Sequence, residues 1–312
     1  MMLAVDSIQV LLLIAVAPLL RGIVSRVKAR IQNRRGASVF RPYADLWKLF
    51  RKEALVPPTA SFLFRACPVV LFAATVAAAA FVPVLRSSSL LGNTGDFVLL
   101  VYLLALARFF LVLGAMDGGS SFGGMGASRE ALVSTLAEAP LLLGLIAIAI
   151  VSHSASIASM TQWTIARMPF ELSPVHAFAF VAFAMVIIAE TGRVPVDNPT
   201  THLELTMIHE AMVLEYSGPS LALIEWAGAI KLTLMFSMLI ALFVPWGIAA
   251  NLSFFGILIA VVAFLLKMAV LIVLLAALES GVAKLRMYLV PEYLGVACAL
   301  SVLAVVFTAF AR

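Results

Sequence analysis

The segment from Glu190 to Gly218 concentrates side chains that could handle protons. It holds five of the chain's 16 carboxylates and two of its four histidines, opposed by one base, Arg193. The acidic and histidine positions are Glu190, Asp197, His202, Glu204, His209, Glu210 and Glu215. Titratable groups set between apolar segments are suited to proton exchange or electrostatic docking, and a solvated surface explains them less well. We therefore predict proton handling or docking here.

A second set of candidate residues lies inside apolar stretches. Its members are Arg108, Glu138, Glu190, Lys231, Lys267 and Glu279. An unpaired charge at the centre of a bilayer costs about 2.5–3.5 kcal/mol or more, so such groups face a wet interior or pair with one another. Glu138 and Glu190 are either structural partners of Arg108 or Lys231, or carboxyl groups in which burial favours the protonated form enough for proton exchange. Glu279 lies near a helix end and is expected to reach the aqueous interface.

The elements that must hold these residues are transmembrane helices. With 63% hydrophobic and 12% charged residues, the 312-residue chain is unlike a soluble domain. Apolar runs long enough to cross a bilayer occur at about 3–24, 66–86, 97–116, 130–151, 174–191, 225–249, 254–280 and 292–311. We predict an all-α polytopic membrane protein with one domain over residues 1–312. The first run lacks a basic leader and a cleavage site, so it is interpreted as a retained helix.

The distribution of basic residues predicts the orientation in the membrane. Eleven of the 21 Lys and Arg residues lie between Arg21 and Arg65. By the positive-inside rule, the connections 25–65, 117–129, 192–224 and 281–291 are predicted to be cytoplasmic and both termini external. The net charge of +5 therefore reflects membrane topology and gives no reason to expect a nucleic-acid partner. The bilayer itself is the first partner that the sequence implies.

The first cytoplasmic connection is predicted to contain an amphipathic helix. An apolar stripe recurs at helical spacing through Tyr43, Leu46, Trp47, Phe50 and Ala54, while Asp45, Lys48, Arg51 and Lys52 lie off it. Pro42 suits the first turn of such a helix. The segment is either an anchor at the membrane surface or a platform for a soluble partner, and both interpretations remain open.

The glycine-rich connection 117–129 is not a nucleotide-binding loop. It has no Gly-Lys-Ser/Thr sequence and no preceding strand. Close approach of the backbone to neighbouring helices explains the glycines better. We expect Ser128 to cap the following helix, with Glu130 in its first turn.

Histidine and cysteine give no metal site that we would assign to this chain. His202 and His209 are seven residues apart but lack the His-Glu-x-x-His order of zinc hydrolases, so a proton-relay or hydrogen-bonding role is favoured. Cys67 and Cys298 are too few for an iron–sulfur cluster, which normally takes four ligands. We expect both thiols to be small core residues and no metal or cofactor to be bound by this chain.

Taken together, these motifs resemble the membrane-anchor subunit shared by respiratory complex I and energy-converting group 4 nickel–iron hydrogenases, including formate hydrogenlyase-type complexes. The resemblance covers nearly the whole chain. It is carried by the segments Arg30 to Gly36, Asp45 to Pro57, Ser128 to Glu130, Arg193 to Asp197 and Glu215 to Gly218. The Arg193-x-Pro195-x-Asp197 and Glu215-Tyr216-Ser217-Gly218 motifs are the most specific of them.

Two positions separate the chain from the quinone-reducing branch of that family. Complex I members carry a Glu-x-Glu-x-Glu-Leu run after the aspartate, whereas here Thr200 and His202 replace the first two glutamates and Glu204 remains. The sequence of this segment resembles the hydrogenase branch more closely. The family's acidic cluster is therefore carried over only to Asp197, Glu204 and Glu215.

The resemblance implies a subunit without a redox centre in a larger oxidoreductase of the prokaryotic cytoplasmic membrane. Its partners would be a nickel–iron large subunit, an iron–sulfur small subunit and antiporter-like membrane subunits, and the metal centres would lie in those partners. The docking residues would be Arg30, Arg34, Arg35, Asp45, Lys48, Arg193 and Tyr216. The proton- or ion-coupling residues would be Glu130, Glu138, Glu190, Asp197, Glu204, Glu215, Arg108 and Lys231.

Two other functions remain open. A complex I quinone-module subunit would line a quinone chamber between the first and the third cytoplasmic connection. A stand-alone secondary transporter would also use charges near the membrane centre, but it would be expected to show broken helices at paired positions.

Overall fold

The computed structural model describes residues 2–92, 96–167, 173–198, 207–249 and 253–310. These residues form α1 (Met2–Ile31), α2 (Arg41–Phe50), α3 (Phe62–Ala79), α4 (Phe97–Asp117), α5 (Ser121–Ser152), α6 (Ile157–Arg167), α7 (Pro174–Glu190), α8 (His209–Val213), α9 (Gly218–Phe243), α10 (Phe254–Gly281) and α11 (Val290–Phe310). A 3₁₀-helix at Met287–Leu289 leads into α11. Within these ranges, β-pairing is limited to an isolated bridge between Arg86 and Ala249. The predicted all-α fold is confirmed.

Seven of the described helices are long and apolar enough to cross a membrane. They are α1, α3, α4, α5, α9, α10 and α11. Helix α7 is also apolar but has only 17 residues, and it lies where a further span is predicted. The chain is therefore a multi-pass membrane protein, and the predicted number of eight spans is approximate.

Helix α9 forms the centre of the bundle. It packs against α1, α3 and α7, and every residue from Leu232 to Phe243 is buried. A helix that is apolar on all sides belongs in such an interior position. Helix α11 packs on α5 and α7, whereas α10 packs mainly on α1 and exposes large apolar side chains such as Phe255 and Leu266. An apolar exposed face of this kind is typical of a helix surrounded by lipid or by another membrane subunit.

The amphipathic helix predicted in the first connection is present as α2. None of its residues is buried, so it lies on the surface of the bundle. The Tyr43 hydroxyl donates to the carbonyl of Ala15 in α1, and the Phe50 ring meets Trp226 of α9 edge-on at 6.4 Å. The helix ends before Ala54, so the predicted stripe is one residue shorter in the structure.

Helix α5 begins earlier than expected, and the predicted loop at 117–129 is wrong in most of its length. The Ser120 hydroxyl caps the helix by accepting the Gly123 N–H at 3.2 Å. Ser128 is therefore not a cap, since it already lies inside the helix and its hydroxyl donates to the Met125 carbonyl at 2.9 Å.

Packing against α8 explains why a glycine-rich segment is helical here. A Cβ atom at Gly126 would lie 2.9 Å from both the Ala211 Cβ and the Ile208 carbonyl oxygen. Glycine is unfavourable within a helix by roughly 0.5–1 kcal/mol relative to alanine, but only glycine allows this close approach. The glycines thus mark helix packing, as the sequence indicated, within a helix that the sequence did not predict.

Helix α3 ends at Ala79, although its apolar run continues to residue 86. Pro83 lies four residues beyond that end and cannot continue the backbone ladder. The following connection is instead fixed by Gln9 of α1, whose Oε1 accepts the N–H groups of Val84, Leu85 and Arg86 at 3.1, 3.1 and 3.3 Å. The Gln9 amide also donates to Asp6 and to the Ser88 carbonyl.

The last long predicted connection, 192–224, contains α8 and the first turns of α9, which begins at Gly218 and not near residue 225. Three residues that distinguish this segment in the sequence, Thr200, His202 and Glu204, lie outside the described residues. Residues 250–252, between the predicted runs 225–249 and 254–280, lie outside them as well.

Gln9 should contribute strongly to stability because it is the partner of three backbone N–H groups. Gln9→Leu would leave those donors without the acceptor, at a cost of about 1–3 kcal/mol for each group that stays buried and unsatisfied. We expect a clearly lower unfolding midpoint for the detergent-solubilised variant. Gln32→Leu, at an exposed glutamine, is the matched control and should change the free energy of unfolding by no more than about 0.5 kcal/mol. Equal midpoints for the two variants would contradict the assignment.

Candidate functional site

The candidate site is a cavity of about 210 Å³ bordered by α1, α3, α4, α5, α7, α8, α9 and α10. We call it the inner cavity. Its charged lining residues, within the described ranges, are Arg21, Lys28, Arg108, Arg193, Lys231, Glu130, Glu190, Glu210, Glu225 and Glu279, and His209 lines it too. Five bases and five carboxylates from distant parts of the chain are thus gathered around one space in an otherwise apolar bundle.

Glu190 lies between two cations at one side of the inner cavity. It is the last residue of α7 and is only 6% exposed. Arg108 of α4 donates to one of its carboxylate oxygens, and the Nζ of Lys231 in α9 lies 3.0 Å from the other. The partial negative charge at the C-terminus of α7 favours the same two cations. The sequence left Glu190 as either a structural partner of Arg108 or Lys231 or a proton-exchanging group. The structure fits both, because the carboxylate is paired with these two cations and also lines a cavity.

The end of α7 is defined by the residues that follow Glu190. Thr191 occupies the C-cap, and Gly192 has a φ of 58°, which is in the left-handed region that favours glycine. The Arg193 N–H then donates back to the Ile188 carbonyl at 2.9 Å. This turn directs the chain back over the helix end, so that Arg193 reaches the inner cavity.

Glu279 repeats the arrangement at the end of α10. Lys28 of α1 and Arg193 each approach a different carboxylate oxygen of Glu279 at 3.2 Å. Burial lowers the pKa of the Arg193 guanidinium, Glu279 opposes that shift, and the nearby charge of Arg21 adds to it. The expectation that Glu279 reaches the aqueous interface is wrong, because its side chain is almost fully buried between two bases. Arg193, predicted to take part in docking, is directed inward.

Asp197 anchors the loop that carries the cavity-lining residues of α8. It is 2% exposed and accepts the N–H groups of Asn198, Ile208 and His209. Lys284, in the connection between α10 and α11, donates to Asp197 at 2.7 Å. Three backbone N–H groups and one ammonium group thus converge on this carboxylate, which fixes the position of the surrounding backbone.

Tyr216 also has a packing role in the structure. Its ring stacks on Phe64 with centroids 4.1 Å apart and is 3% exposed. Burial, together with the neighbouring Cys67 thiol, raises the pKa of Tyr216 above its ordinary value. The phenol sits against Gly114, where a Cβ atom would collide with it. A docking role for Tyr216 would need a surface position that it does not have.

The structure brings some of the predicted coupling residues together and leaves others apart. Arg108, Lys231, Glu190 and Glu130 all line the inner cavity. Glu138 is half-buried on α5 but is not among the described lining residues, and Glu215 is exposed beside Gly118. Glu204 lies outside the described residues. The predicted docking residues Arg30, Arg34, Arg35, Asp45 and Lys48 are exposed at the end of α1, in the turn after it and on α2.

Lys267, the remaining charge predicted inside a span, has a structural partner. Its ammonium group donates to the carbonyls of Val244 and Trp246, just beyond the end of α9. Such a contact satisfies carbonyl groups that a helix end leaves without intrahelical partners.

Sequence reasoning missed three charged residues of the inner cavity, namely Arg21, Lys28 and Glu225. Arg21 and Lys28 are seven residues apart on α1, so they share a face of that helix. Their spacing was the feature of the sequence that could have identified them. It was not distinctive, because both bases also match the basic residues expected at the cytoplasmic end of a span.

The sequence matches the NADH dehydrogenase family over residues 5–309. The chain belongs to this family. Among its relatives in the NADH dehydrogenase family, formate hydrogenlyase subunit 4 of Escherichia coli (strain K12) is 35% identical over 285 residues, which cover 91% of this chain and 92% of the relative. Hydrogenase-4 component C of the same strain is 34% identical over 299 residues, covering 96% and 93%.

Two other similar proteins are more distant in sequence. An NADH-quinone oxidoreductase subunit from Anaplasma phagocytophilum (strain HZ) is 27% identical over 241 residues, which cover 70% of this chain and 68% of that one. A chain in the structure of the membrane-bound sulfane sulfur reductase, an archaeal respiratory membrane complex, is similar in fold, with a TM-score of 0.84 and 20% identity over 97% of this chain and 99% of that chain. The predicted family is confirmed, and so is its division into hydrogenase-type and complex I-type relatives.

Removing the charge of Glu190 should destabilise this chain far more than removing an exposed carboxylate. Glu190→Gln leaves Arg108 and Lys231 without their shared counter-charge, and breaking a buried pair in this way typically costs about 3–5 kcal/mol. Asp45→Asn, in the exposed Arg41–Asp45 pair at 3.5 Å, is the control and should cost about 0–1 kcal/mol. Denaturant unfolding in detergent would measure both.

A second substitution checks the cause. Adding Lys231→Met to Glu190→Gln removes one of the two repelling cations and should recover part of the lost stability. If Glu190→Gln were no more destabilising than Asp45→Asn, the pairing of Glu190 would not be a principal support of the fold.

Proposed function

We propose that this chain is the membrane-anchor and ion-coupling subunit of a group 4 nickel–iron hydrogenase complex of the formate hydrogenlyase type. The observation that carries the proposal is the inner cavity, in which buried carboxylates are held between bases by helices that are far apart in the sequence. The complex would lie in a prokaryotic cytoplasmic membrane, with the basic first connection on the cytoplasmic side and both termini outside. The chain would hold no redox centre, and nickel–iron and iron–sulfur centres would lie in its partners.

The hydrogenase branch is supported by two independent observations. The two hydrogenase-type relatives are 35% and 34% identical to this chain, against 27% for the complex I-type relative. Thr200 and His202 also stand where complex I members carry glutamates.

The electrostatics of the inner cavity support a role in ion coupling. Glu190 and Glu279 each face one lysine and one arginine, so protonating either carboxylate leaves two like charges close together in a site of low dielectric. Coulomb repulsion would then act on the other charged groups that line the cavity. A change of charge at Glu190 would in this way alter the electrostatic potential at Glu279, and the reverse would also hold.

We place proton uptake at the half-buried Glu130 and Glu210 and at His209, which line the inner cavity beside Glu190. From Glu190 the route would continue by way of Glu138 toward the adjacent antiporter-like subunits. Asp197 would hold the loop in place, and the exposed Glu215 would take part on the cytoplasmic side.

Docking of the soluble arm is assigned to the exposed basic cluster formed by Arg30, Arg34 and Arg35 together with α2. These side chains project from the end of α1 and the turn that follows it, and α2 beside them exposes Lys48 and Trp47. Complementary charge on the nickel–iron and iron–sulfur subunits would guide their approach and register more than it would raise affinity.

Glu190→Gln should uncouple ion movement from electron transfer in the native complex. We expect ion movement in inverted membrane vesicles to fall by at least about tenfold, since a positioned proton-transfer group typically contributes about 10²–10⁴-fold to a rate. Hydrogen-dependent dye reduction by the soluble arm should persist. Glu292→Gln, at an exposed carboxylate in the first turn of α11, is the control and should leave both activities unchanged.

Glu138→Gln tests the onward step in the same vesicles. Loss of ion movement with an assembled complex would support the route by way of Glu138. Full ion movement in this variant would remove Glu138 from the route, and full ion movement in Glu190→Gln would overturn the coupling function itself.

Reversing charge in the basic cluster should release the soluble arm. For Arg34→Glu combined with Arg35→Glu, we expect less nickel to co-purify with the membrane subunits, with the deficit relative to the wild type largest at low salt and smaller at higher salt because exposed charges are screened. Arg65→Glu, at an exposed base in the first turns of α3, makes one such change outside the cluster and should retain the arm. Nickel in the wild-type complex would at the same time favour the hydrogenase over a quinone-module subunit.

The complex I quinone module remains the second candidate, because a complex I subunit is among the relatives. A wild-type complex that lacks nickel and reduces a quinone would establish it. A stand-alone transporter would instead show substrate-driven flux when the purified chain is reconstituted alone.

A further inference from the structure

Helix α7 ends with Glu190 at the inner cavity and carries a buried histidine at its other end. His176 is the third residue of the helix, is 4% exposed, and takes no part in the proposed route for ions. By the predicted orientation, this end of α7 lies on the external side of the membrane. A single helix thus joins a buried titratable side chain on that side to Glu190.

The two ring nitrogens of His176 have different surroundings. The Ser173 hydroxyl caps α7 by accepting the His176 backbone N–H at 3.4 Å, and the same oxygen lies 3.0 Å from Nδ1. Nε2 is buried, and among the described residues it has no hydrogen-bond partner. A neutral ring fits this site when Nδ1–H donates to Ser173 and Nε2 keeps only its lone pair. An imidazolium ring has an N–H at both nitrogens, so protonation would bury a charged donor without an acceptor.

The charges beside the ring also disfavour a further positive charge. The His176 ring lies parallel to the indole of Trp163 in α6, with centroids 5.6 Å apart, and the Arg167 guanidinium carbon lies 4.5 Å from the centroid of the same indole. The N-terminus of α7 carries a partial positive charge of its own. The face of an indole attracts cations, but Arg167 already lies over this one. Protonation would therefore weaken the contact between α6 and the start of α7.

Within the described ranges, the helices packed against α7 bring no counter-charge to this end. Their charged and titratable residues lie between the predicted cytoplasmic end and about the middle of each helix, namely Arg129, Glu130 and Glu138 in α5, Glu225 and Lys231 in α9, and Glu292, Tyr293 and Cys298 in α11. His153, just beyond the external end of α5, is exposed, and Glu171 lies outside the described residues. The described surroundings of His176 therefore contain positive charge and no carboxylate.

We infer that His176 is a proton-binding site through which acid on the external side releases the start of α7 from α6. With the ring neutral, Ser173 and Trp163 hold it in place. With the ring charged, the unsatisfied Nε2–H and the neighbouring positive charges drive it toward water, and the first turn of α7 loosens. The binding of this proton does not depend on the identity of the complex.

A consequence for Glu190, at the far end of the same helix, rests on the proposed function. Loosening the start of α7 would make the position of Glu190 between Arg108 and Lys231 less well defined. We therefore expect acid on the external side to slow ion movement, so that the ions already moved would limit further movement.

Hydrogen exchange of the intact native complex, followed on peptides from this chain, tests the proton-binding site. The exchange is corrected for the intrinsic effect of pH and compared at about pH 7.5 and about pH 5.5, on either side of the ordinary histidine value. Peptides covering residues 157–167 and 174–180 should exchange roughly tenfold faster in acid, the scale set by one charge-assisted hydrogen bond left unmade. A peptide from the buried part of α9, residues 232–243, should not change.

Substitutions separate protonation of His176 from other effects of pH. His176→Phe keeps an aromatic ring beside Trp163 but cannot take a proton, and His176→Asn keeps a polar partner for Ser173 without titrating. Both should lose the increase in acid. His153→Asn is the control, because it removes an exposed histidine on the same side, and asparagine tolerates the left-handed conformation there, where φ is 52°. It should keep the full increase.

Ion movement in inverted membrane vesicles tests the consequence for Glu190. The external side faces the lumen of these vesicles, so the lumen is preset to about pH 7.5 or about pH 5.5 while the outer medium is kept constant. Acid in the lumen should slow the wild type by a larger factor than His176→Phe. Both proteins face the same gradient, so the difference between them reports on His176.

Two results of hydrogen exchange would overturn the proton-binding site. The first is the same increase in acid for the wild type, His176→Phe and His176→Asn. The second is an increase in residues 232–243 as large as in residues 157–167, which would indicate general loosening of the fold. Equal slowing of the wild type and His176→Phe in vesicles would overturn the consequence for Glu190. Absence of ion movement in the wild type at both values of pH would instead contradict the proposed function.

Discussion

The cost of holding charge inside an apolar helical bundle governs this structure. Burying a lone carboxylate or ammonium group between membrane helices costs free energy, and a single partner of opposite charge offsets only part of that cost. The chain meets this constraint by setting Glu190 and Glu279 each between a lysine and an arginine. The cations come from α1, α4, α9 and the turn after α7, so the helices that carry them must meet at one place.

This requirement connects packing with function. The interior helix α9 supplies Glu225 from its first half and Lys231 from its middle to the inner cavity, and it is buried from Leu232 to Phe243. Apolar burial fixes the helices relative to one another, and the ion pairs select which faces meet. The same pairs that satisfy the fold form a connected set of titratable groups, which is the property that the proposed ion coupling uses.

Much of the fold followed from the sequence because long apolar runs and the basic first connection are local signals. Helix α2 followed from the spacing of Tyr43, Leu46 and Phe50. The start of α5 did not, because Gly126 becomes favourable only against Ala211, which lies 85 residues away in the chain. At the site, Arg108, Glu190 and Lys231 were predictable as charges that need partners. Glu279 and Lys28 were not, because pairing across the bundle depends on the arrangement of helices, and a position near a helix end has a simpler explanation in the sequence.

Asp197 connects two separate segments of the chain. Its carboxylate accepts hydrogen bonds from the backbone at the start of α8 and from Lys284, and the Leu285 N–H donates to the Pro195 carbonyl at 2.8 Å. These contacts join the residues that follow α7 to the connection between α10 and α11. A displacement of either segment by a neighbouring subunit would therefore also move His209 and Glu210, which follow this contact in the chain and line the inner cavity.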